Sequence, residues 1–528
     1  MPKILTGFDI RQLSGEPKRK TALLIAPPVY DTQYWSRWSQ PYGLLRITAL
    51  LKKHKYKRLE LFDFMEVHED ERIHQHRINP GESYSDRDNP SRPISPHRIT
   101  KSGGPDALEL YRYHFGRAWQ DFDAWLDAKG FSSKYPPHEI WISSVMTYWW
   151  ESTRDLIARL RQKLGKKPII ILGGIYPTLM PEHAAEFTMP DIVVPGEVAE
   201  ANDLWTELSL YDKAPSYAII TPSRGCPFNC AYCAQKTINE GRNVVYCRSV
   251  DDVYAEMRNK YERYGIRDFA FYADFLLWRF EKNFIPLLEK IAAAKDINFR
   301  LYAPEGLDVN LLSQSQKLVD MLKAAHFQKI YLPCESIDDE YLRTLNRKHV
   351  RLEQFVNAAQ MCEKAGFKLR NLDVNAFVLY GLPGESVDRV VKTTLFVSEV
   401  VGSIIPMLFT PVPTTQIYKK YLPQFRAKGW DKDVHMLNGK LYPFLDMNEG
   451  SVSDYVDMQR LMFTLNAHYR DASFQIFGKS KVASTLRSNM RNGFEDFLNE
   501  QLQFKSTPNQ IEAPIELLTT SLAEEKTP

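Results

Sequence analysis

Short apolar runs separated by helical patterns recur over the first 210 residues of the chain. The runs are rich in Ile, Leu, Val and Ala, which is typical of strands buried in a parallel sheet, and they lie at 21–26, 59–63, 139–143, 168–172 and 191–194. Between the first two, residues 43–53 carry apolar side chains at 44, 45, 47, 50 and 51, the spacing of an amphipathic helix. This alternation predicts an α/β fold with a doubly wound parallel sheet over residues 1–210.

A second alternation begins near residue 216 and predicts six further strands, at 217–221, 268–272, 298–302, 329–332, 374–380 and 403–409. Helical patterns fill the intervals, for example at 250–264 and 352–365. Six consecutive βα units predict a partial (β/α)6 barrel of the TIM type over residues 211–415, with its chemistry at the carboxyl ends of the strands. Residues 416–528 predict a mostly helical C-terminal region whose polar end is expected to fray.

A polar insertion at about 66–135 interrupts the first domain. Its first part, 66–105, is rich in Arg, His, Ser and Pro and lacks periodicity, which is typical of a functional or disordered loop. Its histidines follow no repeated ligand spacing, so we expect solvated loop positions at His68, His74, His76 and His97. Aromatic residues at 111, 113, 115, 119, 122 and 125 predict one core-packed helix over 108–128.

Composition narrows the class of protein. The 528 residues are 44% hydrophobic and 25% charged, as in ordinary globular proteins, and no stretch approaches a membrane span. A net charge of +3 gives no overall attraction to nucleic acid, and the N-terminus lacks the apolar run of a signal peptide. Six cysteines in so long a chain favour a reducing compartment over a disulfide framework. We therefore expect a cytoplasmic enzyme with a small-molecule substrate, no nucleic-acid partner and no membrane span.

Three of the six cysteines, Cys226, Cys230 and Cys233, lie within eight positions in a C-x-x-x-C-x-x-C spacing. Electron-transfer iron–sulfur clusters ordinarily take four protein thiolates, so three thiolates leave one iron of a [4Fe–4S] cluster open for a small molecule. Zinc is the alternative metal. Structural zinc sites usually have a second cysteine or histidine pair, however, and none follows here. The spacing thus favours a cluster with one open coordination position.

The segment around these cysteines, with an aromatic Tyr232 before the third, resembles the radical S-adenosylmethionine (SAM) superfamily. Three later segments extend the resemblance: YLPCES at 331–336, YGLPGE at 380–385 and FTPVPTT at 409–415. In this family SAM chelates the open iron, and one electron from the reduced cluster cleaves it to methionine and a 5′-deoxyadenosyl radical. The resemblance implies that the three cysteines are the catalytic cluster ligands and that SAM is bound by Tyr232, Glu335, Ser336, Gly381, Pro383 and Gly384.

Two positions depart from the pattern of the family. Cys334 precedes the glutamate where a variable or small residue is usual, and Thr414 replaces the glycine of a Pro-Gly-Thr segment. Neither removes a cluster ligand, so both concern the shape of the pocket. Asp274 and Glu305 follow the second and third barrel strands and are either acid–base groups or loop caps. Arg248 either holds a carboxylate or makes an ordinary ion pair.

The first domain resembles the cobalamin-binding domain that precedes the radical SAM core in many members, on the segments PP…PYGLLRI, ISSVMTY, ILGGIYPT and IVVPGE. The resemblance implies a corrin between the two domains, held at strand ends that contain Ser143, Ser144, Gly173, Gly174, Gly196 and Glu197. The usual DxHxxG motif, whose histidine ligates cobalt, is absent, because Asp31 has no histidine two residues on. Either the lower cobalt face lacks that ligand, or the domain is a flavodoxin-like unit that shapes the substrate cavity without corrin.

These resemblances together imply a radical SAM enzyme that generates a 5′-deoxyadenosyl radical at a [4Fe–4S] cluster. They imply cobalamin-dependent methyl transfer or cyclisation on a small organic substrate, with an electron donor such as flavodoxin or ferredoxin. The alternatives are a cobalamin-free radical SAM oxidation or rearrangement, and a non-catalytic iron–sulfur scaffold.

Overall fold

The computed structural model describes residues 2–32, 34–35, 38–66, 77–78, 95–104, 106–241, 244–369 and 373–468. Strands of the first domain are β1 (Lys3–Ile4), β2 (Thr21–Ala26), β3 (Val29–Asp31), β4 (Tyr34–Trp35), β5 (Arg58–Asp63), β6 (Arg77–Ile78), β7 (Ser95–Thr100), β8 (Ala107–Phe115), β9 (Glu139–Ser143), β10 (Ile169–Gly173) and β11 (Ile192–Val193). Its helices are α1 (Tyr42–Lys53), α2 (Trp119–Ala128), α3 (Trp150–Leu164), α4 (Ile175–Leu179) and α5 (Pro181–Thr188).

Six of these strands form the predicted parallel sheet, in the order β1–β11–β10–β9–β2–β5. Successive side chains of β2 point to opposite faces, and both faces are buried. Leu24, on one face, belongs to the buried cluster that includes Leu45 of α1. Leu23, on the other face, belongs to the buried cluster that includes Leu156 of α3. Burial on both faces explains why the strand reads as a continuous apolar run.

The insertion contains a second small sheet, in which β8 pairs antiparallel with both β3 and β7. The prediction of one helix over 108–128 was therefore wrong for its first half, where Ala107–Phe115 is a strand. Tyrosine and phenylalanine at every second position fit a pleated strand as well as a helix, and pairing with two partners decides between them. Gly116 then ends the strand with φ +104°, and only from Trp119 does the chain form α2. The histidines at 68, 74 and 76 and the side chain of His97 lie outside the described residues.

The second domain contains the six predicted strands as a parallel sheet in sequential order. Its strands are β12 (Tyr217–Ile220), β13 (Ser223–Arg224), β14 (Tyr246–Cys247), β15 (Asp268–Phe271), β16 (Arg300–Tyr302), β17 (Phe327–Glu335), β18 (Val374–Tyr380) and β19 (Ile404–Leu408). The sheet runs β12–β15–β16–β17–β18–β19, while β13 and β14 form an antiparallel hairpin. The helices are α6 (Gln235–Ile238), α7 (Val250–Tyr264), α8 (Phe280–Asn283), α9 (Ile285–Ala293), α10 (Val309–Leu312), α11 (Gln316–Ala324), α12 (Asp339–Thr344), α13 (Leu352–Lys364) and α14 (Val387–Val401).

The first domain covers the open edge of this barrel at β12. Trp38, with φ +59°, packs its indole against Tyr217 and Tyr302 at centroid distances of 4.9 and 4.7 Å. Gln40 bonds along the strand, since its Nε2 donates to the carbonyl of Tyr217 at 2.7 Å and its Oε1 accepts from the N–H of Ile219 at 3.2 Å. These contacts place the first domain beside the strand that leads to the three cysteines.

The described part of the C-terminal region is helical, as predicted, with α15 (Gln416–Ala427), three short 3-10 turns and α16 (Val452–His468). The end that was expected to fray lies outside the described residues. In the part of the chain that the structure covers, no helix has the length and hydrophobicity needed to cross a membrane.

Candidate cluster and cofactor site

The three cysteines lie in the loop at residues 223–234 that follows β12, here called the cluster loop. Gly225, the third residue of this loop, has φ +99°, and a Cβ there would lie 2.4 Å from the carbonyl oxygen of Val244, so only glycine fits. The N–H of Gly225 donates to Oδ2 of Asp274 at 2.6 Å, and Nδ2 of Asn239 donates to the same oxygen at 3.1 Å. Asp274 therefore caps the cluster loop, one of the two roles that the sequence left open.

The thiols differ in exposure: Cys226 is half-buried, Cys230 is buried and Cys233 is exposed. Burial raises the pKa of Cys226 to about 12. The Cys233 side chain is accessible to solvent, yet the surrounding protein and the neighbouring thiolate charge raise its pKa to about 11. Three thiolates here thus need a strongly cationic partner. Within the described residues, no three His, Cys, Asp or Glu side chains surround a single ion position. Zinc holds every sulfur about 2.3 Å from one ion. The thiolates of a [4Fe–4S] cluster bind different irons, so this donor set fits the cluster better.

A segment that the motifs do not include, residues 345–349, fixes the cluster loop from the opposite side. The N–H of Ala231 donates to the carbonyl of Leu345 at 2.8 Å, and Nδ2 of Asn346 donates to the carbonyl of Asn229 at 2.6 Å. Asn346 holds φ +57°, a conformation that asparagine tolerates better than most residues. The only sequence signal is a polar Asn-Arg-Lys-His run after a short helix, which by itself indicates no function.

Two side chains of the 345–349 segment complete the surroundings of Cys230. NH1 of Arg347 lies 3.9 Å from Sγ of Cys230, and its guanidinium lies 5.9 Å from the ring centre of Tyr232. The ring of His349 stacks on Phe228 at 3.5 Å with 4° between the planes. Burial lowers the pKa of His349 to about 3, so this ring is neutral. The cluster loop thus has a cation beside one thiol and a neutral stacked ring beside its Pro-Phe turn.

Glu335 ends β17 in a left-handed conformation with φ +64°, and the strand register shifts at this point. Non-glycine residues held there are strained by roughly 1–2 kcal/mol, and such strain is concentrated at functional sites. The carboxylate lies 3.2 Å from Arg347, and burial raises the pKa of Glu335 despite that charge. Ser336 is buried, and its hydroxyl accepts from the N–H of Asp338 at 3.2 Å. Cys334, in contrast, packs in the hydrophobic core.

The Gly-Leu-Pro-Gly-Glu turn follows β18 at the neighbouring strand end. Gly381 and Gly384 have φ of +87° and +79°, as the turn requires. The N–H of Gly381 donates to Oε2 of Glu385 at 2.6 Å, and the N–H of Gly384 donates to Oδ1 of Asn448 at 2.8 Å. Pro383 is half-buried between them. The C-terminal region, through Asn448, therefore holds this strand end in place.

Thr414 shows why its family position favours glycine. Its backbone has φ +77°, which strains a β-branched residue. Its buried hydroxyl makes no hydrogen bond within the described part of the chain. Thr415, the next residue, caps α15 by accepting from the N–H of Tyr418 at 3.2 Å. The segment thus keeps the turn despite the substitution.

Arg248 and Glu305, the two remaining polar candidates, lie in different surroundings. Arg248 is buried and lies 2.7 Å from both Asp252 and Glu256, so it makes an ordinary ion pair. Glu305 is accessible to solvent, yet surrounding protein and the charge of Asp274 raise its pKa. Its place near the cluster loop keeps it as a candidate acid–base group.

The strand ends of the first domain meet the cluster loop. Oε1 of Glu197 accepts from NH1 of Arg224 at 2.9 Å, and its Oε2 accepts from Nδ2 of Asn202 at 2.8 Å. A Cβ at Gly196, which has φ +80°, would lie 3.0 Å from Oε1 of Glu240 beyond the cysteines. Helix α4 likewise contacts α6. A molecule bound at these strand ends would therefore lie next to the cluster.

At the neighbouring strand ends, the polar groups are satisfied within the protein. A Cβ at Gly174 would lie 2.3 Å from the carbonyl oxygen of Ser144, so packing alone requires this glycine; Gly173 precedes it at the end of β10. The Ser144 hydroxyl accepts from Thr153 at 2.9 Å, and Ser143 is half-buried beside it. These contacts fit a flavodoxin-like sheet edge, and Ser144, at 3% exposed, offers little surface to a corrin tail.

Asp31, near which the cobalt-ligating histidine would be expected, is 1% exposed and bound by other protein groups. Its Oδ1 accepts from Lys440 at 2.9 Å and Asn438 at 3.1 Å, and its Oδ2 accepts from Trp149 at 3.0 Å. Two of these three donors come from the C-terminal region. Asp31 thus joins the first domain to the C-terminal region and supplies no cobalt ligand.

Comparison with known proteins agrees with this arrangement. Residues 220–397 match the radical SAM superfamily. The chain is 24% identical over 210 residues to an uncharacterised methyltransferase of Pyrococcus horikoshii, covering 38% of this chain and 41% of that protein. It is 27% identical over 332 residues to the bacteriochlorophyllide d C-8(2)-methyltransferase of Chlorobaculum tepidum, covering 53% of this chain and 69% of that protein. The chain thus spans less than half of the first relative.

Two solved structures share the fold of both domains. The radical SAM methyltransferase TsrM of Kitasatospora setae, solved with tryptophan substrate and a SAM analogue, has a TM-score of 0.53 at 15% identity, over 77% of this chain and 76% of that one. The cobalamin-dependent radical SAM enzyme OxsB, solved with aqua-cobalamin and SAM, has a TM-score of 0.52 at 12% identity, over 96% of this chain and 78% of that one. The match over residues 220–397, which contain the cysteine loop and strands β15 to β18, identifies a radical SAM domain in this part of the chain, and the two solved structures show that the surrounding fold is shared.

Proposed function

We propose that this protein cleaves SAM reductively at a [4Fe–4S] cluster and uses cobalamin to transfer a methyl group to a small organic substrate. One observation carries the first part: a single loop presents three thiols at the barrel mouth, beside the strained carboxylate of Glu335 and the cation of Arg347. A structural metal site has no need of such strand-end residues, so a non-catalytic scaffold is disfavoured.

The chain's own residues bind and orient in this proposal. Cys226, Cys230 and Cys233 hold the cluster and leave one iron open. When bound, the reduced cluster supplies the electron that converts SAM to methionine and a 5′-deoxyadenosyl radical. Glu335 accepts hydrogen bonds from SAM while Arg347 orients that carboxylate. The radical chemistry itself belongs to the cofactors.

Methyl transfer is favoured over other radical SAM reactions by two features. The relatives named above include two methyltransferases, and the first domain packs its strand ends on the cluster loop through Glu197 and Arg224. Cobalamin-assisted cyclisation is the alternative with the same cofactors. A corrin-free oxidation or rearrangement is favoured by the protein contacts of Asp31 and Ser144. In each case a small electron-transfer protein such as flavodoxin or ferredoxin would reduce the cluster.

The test is an anaerobic assay on the full chain after cluster reconstitution. SAM, dithionite and hydroxocobalamin are added, 5′-deoxyadenosine is measured, and the visible spectrum of the desalted protein records bound corrin. We expect SAM cleavage and about one corrin per chain. Cleavage without retained corrin would replace methyl transfer with the corrin-free alternative.

Two cysteine variants test whether SAM cleavage requires the Cys230 thiol in particular or tolerates the loss of any cysteine. Cys230→Ala should abolish 5′-deoxyadenosine formation while leaving the fold intact. Cys362→Ala removes a fully buried cysteine of α13, away from the loop, and should retain activity. If Cys230→Ala cleaves SAM as fast as Cys362→Ala, the cluster assignment is wrong.

A further inference from the structure

Arg46 is a buried cation on the apolar face of α1. The residue is 4% exposed, although the helix buries mainly leucines on the same side. Its guanidinium carbon lies 4.7 Å from the ring centre of Tyr42. Within the described residues, neither its Nε nor its NH1 finds a hydrogen-bond acceptor. Burying a charge without a partner is strongly unfavourable, so a fold that keeps one here calls for an explanation.

The hydroxyl groups of Tyr42 and Thr221 lie in the surroundings of this guanidinium and also lack a hydrogen-bond partner within the described residues. The Tyr42 hydroxyl is buried, and Thr221 and Arg46 are its neighbours. Thr221 is 6% exposed and directly follows β12, so its side chain comes from the barrel. Neither hydroxyl makes a hydrogen bond of ordinary geometry within the described chain. Ser223, two residues on and 4% exposed, also has an unpartnered hydroxyl within the described residues.

The acids around Arg46 already hold other cations. Glu256, which attracts Arg46, lies 2.7 Å from Arg248 and 3.1 Å from Lys260. Glu197 is likewise taken by Arg224. Three guanidinium groups therefore share this interface between the two domains. The missing component is a negatively charged oxygen.

We propose that Arg46, with the hydroxyls of Tyr42 and Thr221, binds an anionic oxygen group, a carboxylate or a phosphate, of a small molecule held between the first domain and the barrel. The guanidinium supplies the charge and two N–H donors, and the two hydroxyls supply further donors. Thr221 is five residues before Cys226, so the bound molecule lies next to the cluster loop. This deepens the proposed function, because it gives the substrate or a second ligand an acidic group.

The experiment measures anion binding to the full-length chain, purified anaerobically, by thermal unfolding. Sodium acetate and inorganic phosphate are titrated separately against sodium chloride at matched ionic strength. We expect one of them to raise the unfolding temperature saturably, and the one that saturates at lower concentration identifies carboxylate or phosphate. Arg46→Gln should lose the saturable rise. A wild-type response no larger than that to chloride would overturn the proposal.

Matched variants exclude a general charge effect. Arg258→Gln removes one positive charge from an arginine of α7 that is paired with Glu262 and Asp296 at the surface, and it should respond like the wild type. Tyr42→Phe removes one oxygen atom and should weaken the anion's apparent affinity several-fold; an unchanged affinity would contradict the site even if Arg46→Gln fails to fold. Because neither SAM cleavage nor corrin enters this measurement, its result is independent of the proposed reaction.

Discussion

NH2 of Arg347 lies 3.2 Å from Oε1 of Glu335, and both side chains are almost nine-tenths buried. The same guanidinium contacts Sγ of Cys230 through NH1 at 3.9 Å. The pair therefore joins two segments that the sequence marks separately, the cysteine loop and the end of β17. No motif contains Arg347, so its importance follows from the fold alone.

Arg347→Met should destabilise the cluster-free protein by about 3–5 kcal/mol, because it leaves the Glu335 carboxylate buried without its partner. The loss is read from urea unfolding curves. The double variant Arg347→Met/Glu335→Gln should recover most of it, since no buried charge then remains. Arg343→Met, at an exposed position of α12, should change stability by less than about 0.5 kcal/mol. If the double variant is as unstable as Arg347→Met alone, the loss of stability does not come from an unpaired Glu335 carboxylate.

Thr414→Gly should stabilise the protein by about 1 kcal/mol. The change relieves a φ of +77° and removes a buried hydroxyl without a partner, and the added freedom of glycine in the unfolded chain offsets part of the gain. Thr414→Ala is the matched control, because it removes the hydroxyl but keeps the Cβ. Urea unfolding should rank glycine above alanine. The reverse order would mean that backbone strain at this turn is negligible.

Gly174→Ala should destabilise the first domain much more than Gly165→Ala. Both glycines have positive φ, +107° and +77°, so both variants carry backbone strain. At Gly174 the new Cβ would also lie 2.3 Å from a backbone oxygen, whereas Gly165 has open space. We expect an additional loss of about 1–3 kcal/mol at Gly174, the usual effect of overpacking. Equal losses of unfolding free energy in chemical denaturation would show that the end of β10 shifts to accommodate the new Cβ at little energetic cost.

The sequence predicts the ends of the buried parallel strands more accurately than the structure of the segments that connect those strands. Buried parallel strands are continuous apolar runs, so the carboxyl ends of five of the six barrel strands are predicted to within one residue, whereas β17 continues to Glu335, three residues past its predicted end. The segment at 107–115 was assigned wrongly because alternating aromatic residues suit a strand and a helix alike, and only its pairing with β3 and β7 distinguishes them. Long-range pairing of this kind leaves no local signal.

The same limit applies to the site. The cysteine spacing and the glycine turns are local patterns, so the sequence alone marks them. The roles of Arg347 and Arg46 also depend on Cys230 and Thr221, which lie more than a hundred positions away in the sequence. The local pattern instead marks Arg248, which follows the cysteines, as a candidate carboxylate ligand. In the structure, Arg248 is already ion-paired with Asp252 and Glu256.

The stability difference between Glu385→Gln and the wild type should grow with pH. Burial raises the pKa of Glu385 to about 8, outweighing the lowering by the Gly381 N–H and by Arg389. The unfolded chain has the ordinary value near 4.5, so between these two values folding takes up a proton and wild-type stability falls as pH rises. Glutamine resembles the protonated acid, keeps an oxygen for Gly381 and does not titrate. Urea unfolding of both proteins should therefore show the variant's advantage rising by about 1.4 kcal/mol per pH unit from pH 5 and levelling off above pH 8. Glu262→Gln, at an exposed position of α7, should show no such trend, and a pH-independent difference for Glu385→Gln would mean that this carboxylate is ionised in the folded protein.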